Sequence, residues 1–163
     1  MVKLINHSQI KTLIGEVLFS LGDKYASEDA INLVYWTGHV ESNYKYIKQL
    51  GLGPAKSFWQ IEPNTAISQV ENYIKYRKKL ALQCCRASMT QVKPWLEPET
   101  VDWGHLLTVN MATAIIHCRL KYWRVPKPLP TSIEQAGEQW KEYFNTSKGK
   151  GSVSKFVSAV KSL

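Results

Sequence analysis

The stretch WTGHVESNYKYIKQLGLGPAKSFWQIEPNTA occupies residues 36–66 and joins the end of an apolar helix to a glycine-rich loop. The helix end carries one carboxylate, Glu41, and the segment after the loop carries a second, Glu62. The apolar and aromatic residues nearest to Glu41 are Trp36, Val40, Tyr44 and Tyr46. Such surroundings remove a carboxyl from water and raise its pKa, because desolvation disfavours the charged form. Glu41 is therefore a candidate proton donor, although the helix pattern alone favours an ordinary helical glutamate.

The loop after Glu41 has the composition of a binding segment. Gly51, Gly53 and Pro54 allow unusual backbone dihedrals and a close approach of N–H groups to a ligand. The run 57–61, Ser-Phe-Trp-Gln-Ile, combines apolar bulk with a hydroxyl and an amide, which suits a cleft that binds sugars. Pro63 ends this segment, and Asn64 or Thr65 is expected to cap the next helix. We expect at most a very short β segment here, near residues 57–61.

Three blocks of this stretch carry a resemblance to a known family. They are Glu-Ser at 41–42, Gly-Pro-Ala at 53–55 and Ser-Phe-Trp-Gln-Ile-Glu-Pro-Asn-Thr-Ala at 57–66. Their order and the Gln-Ile-x-Pro-x-Thr-Ala run resemble the catalytic signature of soluble lytic transglycosylases and goose-type lysozymes. The small phage-encoded members of this superfamily, often associated with virions or tails, are the most similar. Ser57 stands where the family usually has Gly, and Trp59 replaces its Met.

The resemblance implies an all-α, lysozyme-like fold, which we expect to form one domain over residues 1–163. The activity that it implies is cleavage of the β-1,4 bond between N-acetylmuramic acid and N-acetylglucosamine in peptidoglycan. Glu41 takes the position of the general acid and base. Glu62 is a second catalytic candidate, with a sugar ligand or a charge at the start of the following helix as its alternatives. No cofactor is expected.

The resemblance also implies a set of substrate-binding residues. The family has a Tyr-Asn pair late in the domain, whose tyrosine lies beside the catalytic Glu. Here Phe144 precedes Asn145, so either Tyr143 supplies the hydroxyl or the role is missing. For Trp59, packing in the core is an equally open interpretation. The expected substrate-binding residues are Ser42, Ser57, Trp59, Gln60, Tyr143 and Asn145, with a bond to the Glu41 carboxyl or to the helix end as the alternative for Ser42.

The departures at Ser57 and Phe144 support a competing hypothesis. A glycan-binding or structural virion protein would keep the lysozyme-like fold without cutting its ligand. The expected partners are peptidoglycan glycan strands under the first hypothesis, and other virion or tail proteins under the second.

Composition and charge limit the remaining classes. The chain has 163 residues, 44% of them hydrophobic, and a net charge of +8 that favours polyanions. No nucleic-acid-binding motif accompanies this charge, so an anionic cell wall is the expected partner and nucleic acid is not. Three cysteines and four histidines lack the spacing of a metal site, and the cysteines indicate reduced thiols rather than disulfides.

The N-terminal segment does not read as a signal peptide, and no stretch is long and apolar enough to cross a bilayer. We therefore expect synthesis in a bacterial host cytoplasm, followed by association with the virion or delivery to the periplasm and cell wall.

Apolar periodicity predicts the helices that surround the signature. The expected helices lie at 4–21, 27–41, 65–82, 103–124, 132–143 and 153–163, with Ser8, Ser27, Asp102 and Ser152 as N-caps. The second helix is apolar almost all round and is expected to be central and buried. Polar and aromatic residues of 117–124 are candidates for an edge that faces the cleft, although packing within the core is the more common outcome for such residues.

Overall fold

The computed structural model describes residues 5–145 and 149–163, and within these ranges the chain forms eight α-helices and no β-strand. The prediction of an all-α fold is confirmed. In chain order the helices are α1 His7–Leu21, α2 Glu28–Ser42, α3 Pro63–Asn72, α4 Lys78–Ser88, α5 Trp103–Val109, α6 Met111–Trp123, α7 Ile133–Gln139 and α8 Val153–Lys161. A π-helical segment, Trp140–Asn145, continues α7. The predicted start of the first helix at Leu4 lies outside the described residues.

The expected β segment is reduced to two isolated bridges, which pair Lys56 with Lys48 and with Ile61.

Side-chain caps fix most of the helix starts. The predicted N-caps Ser27, Asp102 and Ser152 each accept a hydrogen bond from the backbone N–H three residues later. The prediction of Ser8 as the first cap is wrong, because Ser8 already lies in the first turn of α1 and Asn6 accepts the bond from the Gln9 N–H. The prediction of Asn64 or Thr65 as a cap is also wrong, because α3 begins at Pro63 and both residues lie inside it. Cap chemistry at these positions therefore sets the helix starts locally.

Two predicted long helices are each divided in two. Asn110 has extended dihedrals between α5 and α6, and its side-chain oxygen accepts a 2.8 Å hydrogen bond from the Thr113 N–H. This competition with the helical backbone is typical of Asn and explains the break. The other break lies at Tyr73–Arg77, where a short 3₁₀ turn separates α3 from α4. Apolar periodicity missed both breaks because the buried face continues across them.

The most buried helix is α6, and α2, which was predicted to be central and buried, exposes only Glu28 and packs against α1, α6 and α8. Every residue from 113 to 120 of α6 is buried. Helices α1, α4 and α2 pack around it, and α8 packs against α2 and α7. Because α2 and α6 are neighbours, the last turn of α2 and the last turn of α6 are both available to one site.

The polar edge predicted at 117–124 lies mostly in this core. His117 and Arg119 are almost fully buried; the His117 Nδ1 lies 2.8 Å from the Gln69 side-chain oxygen, and the Arg119 Nε donates to the Tyr25 carbonyl at 2.9 Å. The thiols of Cys84 and Cys118 are also buried. Only the end of this segment reaches the site described below.

Candidate active site

Glu41 lies in the last turn of α2, one residue before the helix ends. Asn43 follows in the left-handed conformation, with φ of 51°, and closes the helix. The Ser42 hydroxyl donates to the Gly38 carbonyl at 3.1 Å and accepts from the Tyr44 N–H at 3.1 Å. Ser42 is buried and does not line the cleft, so it is not placed to bind a substrate, and the alternative of a bond to the helix end is the observed one. Its hydroxyl instead stabilises the turn that positions Glu41.

A tight loop brings residues 49–62 back over α2. The backbone groups of Lys56 and Ile61 exchange two hydrogen bonds of 2.9 and 2.8 Å, and the turn between them contains Ser57 and Gln60 with positive φ. The Ser57 hydroxyl accepts from the Trp59 N–H at 3.2 Å, and the residue is 3% exposed. Ser57 is therefore a turn residue, and its prediction as a sugar ligand is wrong.

Trp59 is fully buried beneath the same loop. Its indole N–H donates to the Val34 carbonyl at 2.8 Å, and its ring contacts Tyr44 and Phe58 at centroid distances of 6.0 and 6.1 Å. The alternative of core packing is thus the observed one, and Trp59 forms no wall of the cleft. It anchors the loop to α2 and so fixes the distance between Gln60 and the end of α2.

The cleft itself has a volume of about 410 Å³ and brings together four of the eight predicted site residues. Its lining residues are Glu41, Gln49, Ala55, Gln60, Glu62, Thr65, Lys121, Phe144, Asn145 and Gly149. Glu41, Gln60, Glu62 and Asn145 belong to the predicted set. The Gln60 amide nitrogen donates to the Ser57 carbonyl at 2.8 Å, which leaves its side-chain oxygen to accept from a ligand.

Of the two neighbouring aromatic residues Tyr143 and Phe144, only Phe144 lines the cleft. Phe144 lines the cleft and stacks on Tyr122 at 5.4 Å, whereas Tyr143 does not line it and lies near the Lys127 ammonium, 5.6 Å from the ring centroid. The prediction that the Tyr143 hydroxyl reaches the site is therefore wrong. Asn145 does line the cleft, and its side-chain oxygen accepts a 3.1 Å hydrogen bond from Lys141.

Glu41 is the most strongly perturbed carboxyl of the cleft. Burial raises its pKa from the ordinary value of 4.5 to about 7. Two groups oppose this shift: the Trp140 indole N–H, which donates to Glu41 Oε1 at 2.8 Å, and the positive charge of Lys121. Desolvation exceeds both effects, so a large fraction of Glu41 carries a proton at neutral pH.

Lys121 also lines the cleft. Its ammonium donates to the Phe144 carbonyl at 2.9 Å and lies 4.2 Å from the centroid of the Phe144 ring. Burial lowers its pKa, while the thiol of Cys118 and the carboxylates of Glu41 and Glu62 act in the opposite direction. Glu62 is exposed at the mouth of the cleft and is the N-terminal flanking residue of α3, where its side chain makes no capping bond.

Sequence reasoning missed Trp140 and Lys121. Trp140 is 99 residues from Glu41, and no local pattern connects the two. Lys121 is the only lysine in α6, but the residues before it include His117 and Arg119, so no apolar run in the sequence marks it.

No group of three or more metal-ligating side chains occurs among residues 5–145 and 149–163, and in those ranges no helix is long and apolar enough to cross a membrane.

Compared with protein-family models, curated proteins and solved structures, the chain shows no significant match. The resemblance to lytic transglycosylases and goose-type lysozymes therefore stays a prediction, and function is inferred from the residues of the cleft.

Proposed function

We propose that the protein is a peptidoglycan-degrading glycosidase, of lytic transglycosylase or lysozyme type, with Glu41 as general acid and base. The observation that carries this proposal is the carboxyl of Glu41, held in a polar cleft with its pKa raised to about 7. A glycosidase acid needs this property, because it must hold a proton near neutral pH and release it to a leaving group. The resemblance of residues 41–66 supports the choice of peptidoglycan as the substrate.

In the first step Glu41 donates its proton to the glycosidic oxygen. The bond between this oxygen and the anomeric carbon breaks, and the leaving sugar departs as an alcohol. The carboxylate that remains is stabilised by the Trp140 N–H and by the positive charge of Lys121. These groups favour the charged form, so they lower the free energy of the state reached after proton transfer.

In the second step the Glu41 carboxylate accepts a proton from the nucleophile that attacks the anomeric carbon. Water would give a reducing sugar, and the 6-hydroxyl of the muramic residue would give a 1,6-anhydro sugar. The positive charge at the anomeric carbon is stabilised either by the acetamido group of the substrate or by a second carboxylate. Glu62 is the second carboxylate that lines the cleft.

One observation favours a non-catalytic alternative. Phe144 lines the cleft where the family that the sequence resembles has a tyrosine, and Tyr143 does not line it. A glycan-binding or structural virion protein would need the cleft but not this hydroxyl. Binding of glycan strands without release of fragments would support that alternative.

Digestion of purified peptidoglycan tests the proposal. We expect the protein to release soluble muropeptides, which mass analysis identifies as anhydro or reducing-end products. Anhydro products favour Glu41 acting alone, whereas reducing ends strengthen the case for Glu62. The Glu41→Gln protein, checked for folding by circular dichroism, is the control. Release of no fragments by the unmodified, folded protein would contradict the glycosidase proposal.

Replacement of Trp140 by Phe is expected to move the alkaline limb of the pH–rate profile upward by roughly one unit. The indole N–H favours the Glu41 carboxylate, and a hydrogen bond to a charged group contributes about 1.5–3 kcal/mol. Its removal therefore raises the pKa of Glu41 further, and the acid form persists to higher pH. The pKa is followed directly by the ¹³C chemical shift of the Glu41 carboxyl.

Trp103→Phe is the matched control for this experiment. Trp103 is also buried and also donates its indole N–H to an oxygen, the Pro98 carbonyl at 2.8 Å, but it does not line the cleft. It therefore reproduces the loss of an indole hydrogen bond without touching Glu41. Equal pH profiles for the two variants would contradict the role assigned to Trp140.

A further inference from the structure

A second cavity of about 330 Å³ continues from the catalytic cleft. Its lining residues are Asn64, Thr65, Ser68, Gln69, Lys121 and Arg124. Thr65 and Lys121 also line the cleft that contains Glu41, so the two cavities share a wall. We call this second cavity the annex. It lies between one face of α3 and the C-terminal turn of α6.

Charge is divided unequally between cleft and annex. The cleft contains the carboxylates of Glu41 and Glu62, whereas the annex is lined by two cations, four neutral polar residues and no carboxylate. Within residues 5–145 and 149–163, neither Lys121 nor Arg124 takes part in an ion pair. Cations are favoured at the end of α6 in any case, because the helix dipole is negative there. The helix dipole does not account for a cavity beside them that has no carboxylate in its lining and adjoins the acid site.

Aromatic rings contact both cations of the annex: Lys121 lies over the Phe144 ring, and Arg124 lies over the Tyr73 ring. The Arg124 guanidinium lies 5.0 Å from the centroid of the Tyr73 ring, and the Arg77 guanidinium lies 3.7 Å from the same centroid. The Tyr73 hydroxyl accepts a 3.1 Å hydrogen bond from the Trp123 indole, which holds the ring in place. Lys121 uses one of its three N–H donors on the Phe144 carbonyl and keeps two for a ligand. Because the rings already restrict the Lys121 and Arg124 side chains, less side-chain entropy is lost when an anion binds to them.

We propose that the annex binds a carboxylate-bearing substituent of the glycan, on a sugar adjacent to the bond that Glu41 protonates. This inference rests on the proposed function and assigns Lys121 and Arg124 as specificity-determining residues. The carboxylate could belong to the lactyl group of muramic acid or to a peptide stem attached to it. A glycan without carboxylates, such as a strand made only of N-acetylglucosamine, would offer neither cation an anionic group.

Binding measurements in the Glu41→Gln protein test this inference without interference from cleavage. The first pair of probes is peptide-stripped peptidoglycan strands, with lactyl carboxylates free or converted to amides. The second pair is peptide-bearing strands, with stem carboxylates free or amidated. We expect the free form of one pair to bind about tenfold more tightly than its amide, which corresponds to about 1.4 kcal/mol. The pair that shows this preference identifies the source of the carboxylate.

Arg124→Gln, added to the same protein, is expected to reduce the preference at least threefold, and added salt should weaken it. Arg86→Gln, an exposed replacement on α4 with the same change in charge, should retain it. Equal binding of free and amidated strands in both pairs would overturn the proposal that the annex binds a carboxylate, even if the unmodified protein digests peptidoglycan. Absence of digestion together with a retained carboxylate preference would overturn only the glycosidase proposal. Absence of binding to any strand would overturn both.

Discussion

Replacement of Glu41 by Gln is expected to lower the rate of fragment release by about 10³-fold and, above pH 7, to make the folded protein more stable. The two effects have one cause. The environment that raises the pKa of Glu41 to about 7 makes it a proton donor, and the same environment disfavours its charged form. Gln keeps an oxygen for the Trp140 N–H, so the hydrogen bond survives while the charge and the proton are lost.

The sign of the stability change follows from the two pKa values. The folded protein holds a proton on Glu41 that the unfolded chain loses above about pH 4.5, so Glu41 lowers the free energy of unfolding as pH rises from 4.5 to about 7. The glutamine of the Glu41→Gln protein does not titrate, so it adds no pH dependence to the free energy of unfolding. We expect equal stabilities near pH 4 and a variant that is more stable at pH 8 by on the order of 2 kcal/mol, a rise in Tm of roughly 5 °C.

Thermal unfolding followed by circular dichroism from pH 4 to pH 8 measures this difference. Glu62→Gln is the matched control, because Glu62 lines the same cleft but is exposed, and its stability effect should stay within about 0.5 kcal/mol at each pH. A Glu41→Gln protein that is less stable than the parent at pH 8 would contradict the desolvated carboxyl. A variant that gains stability while it loses activity shows the trade-off that is expected at a functional site.

Local sequence signals predicted the ends of several helices and part of the site. Ser27, Asp102 and Ser152 are caps because a hydroxyl or carboxylate at that position satisfies backbone donors nearby. Glu41 was predicted from its apolar neighbours, and Gln60 from the composition of residues 57–61 and the resemblance of the stretch that contains them. These predictions needed only residues close in sequence.

Contacts between residues far apart in the chain could not be predicted from the sequence. The partners of Glu41, Trp140 and Lys121, come from separate helical segments, and apolar periodicity does not show which residues of two helices meet. Trp59 shows the same limit in a loop, where no period distinguishes the core side from the solvent side. Its burial became apparent only with the hydrogen bond to the Val34 carbonyl. The annex was likewise hidden, because Thr65 and Arg124 are far apart in the chain.

Trp59 and Tyr44 have no contact with the cleft, yet they set its dimensions. Both rings lie beneath the loop of residues 49–62 and pack against α2. The helix end carries Glu41, whereas the loop carries Gln60 and Glu62. The geometry of the acid relative to its ligand-binding residues therefore depends on how closely Tyr44 approaches α2, and that approach depends on Gly38.

Replacement of Gly38 by Ala is expected to destabilise the fold by about 3 kcal/mol, a fall in Tm of roughly 10 °C, and to reduce activity. A Cβ at this position would lie 2.6 Å from Cζ and 2.8 Å from Cε1 of Tyr44, too close for any van der Waals contact. The ring has no room to retreat, because it is 2% exposed and its hydroxyl donates to the Tyr35 carbonyl at 2.7 Å. The strain must therefore move either the loop or the end of α2.

Gly15→Ala in α1 provides the matched control. Gly15 is also a buried helical glycine, but the nearest atom to its added Cβ is Ile31 Cδ1 at 3.6 Å, an ordinary contact. Ala should therefore stabilise α1 by up to about 1 kcal/mol through helix propensity alone, the opposite sign to Gly38→Ala. Chemical unfolding of both variants measures the two free energies. Equal changes at the two positions would show that Tyr44 is free to yield, and the acid would then be positioned by the Trp140 hydrogen bond rather than by the packing of the loop on α2.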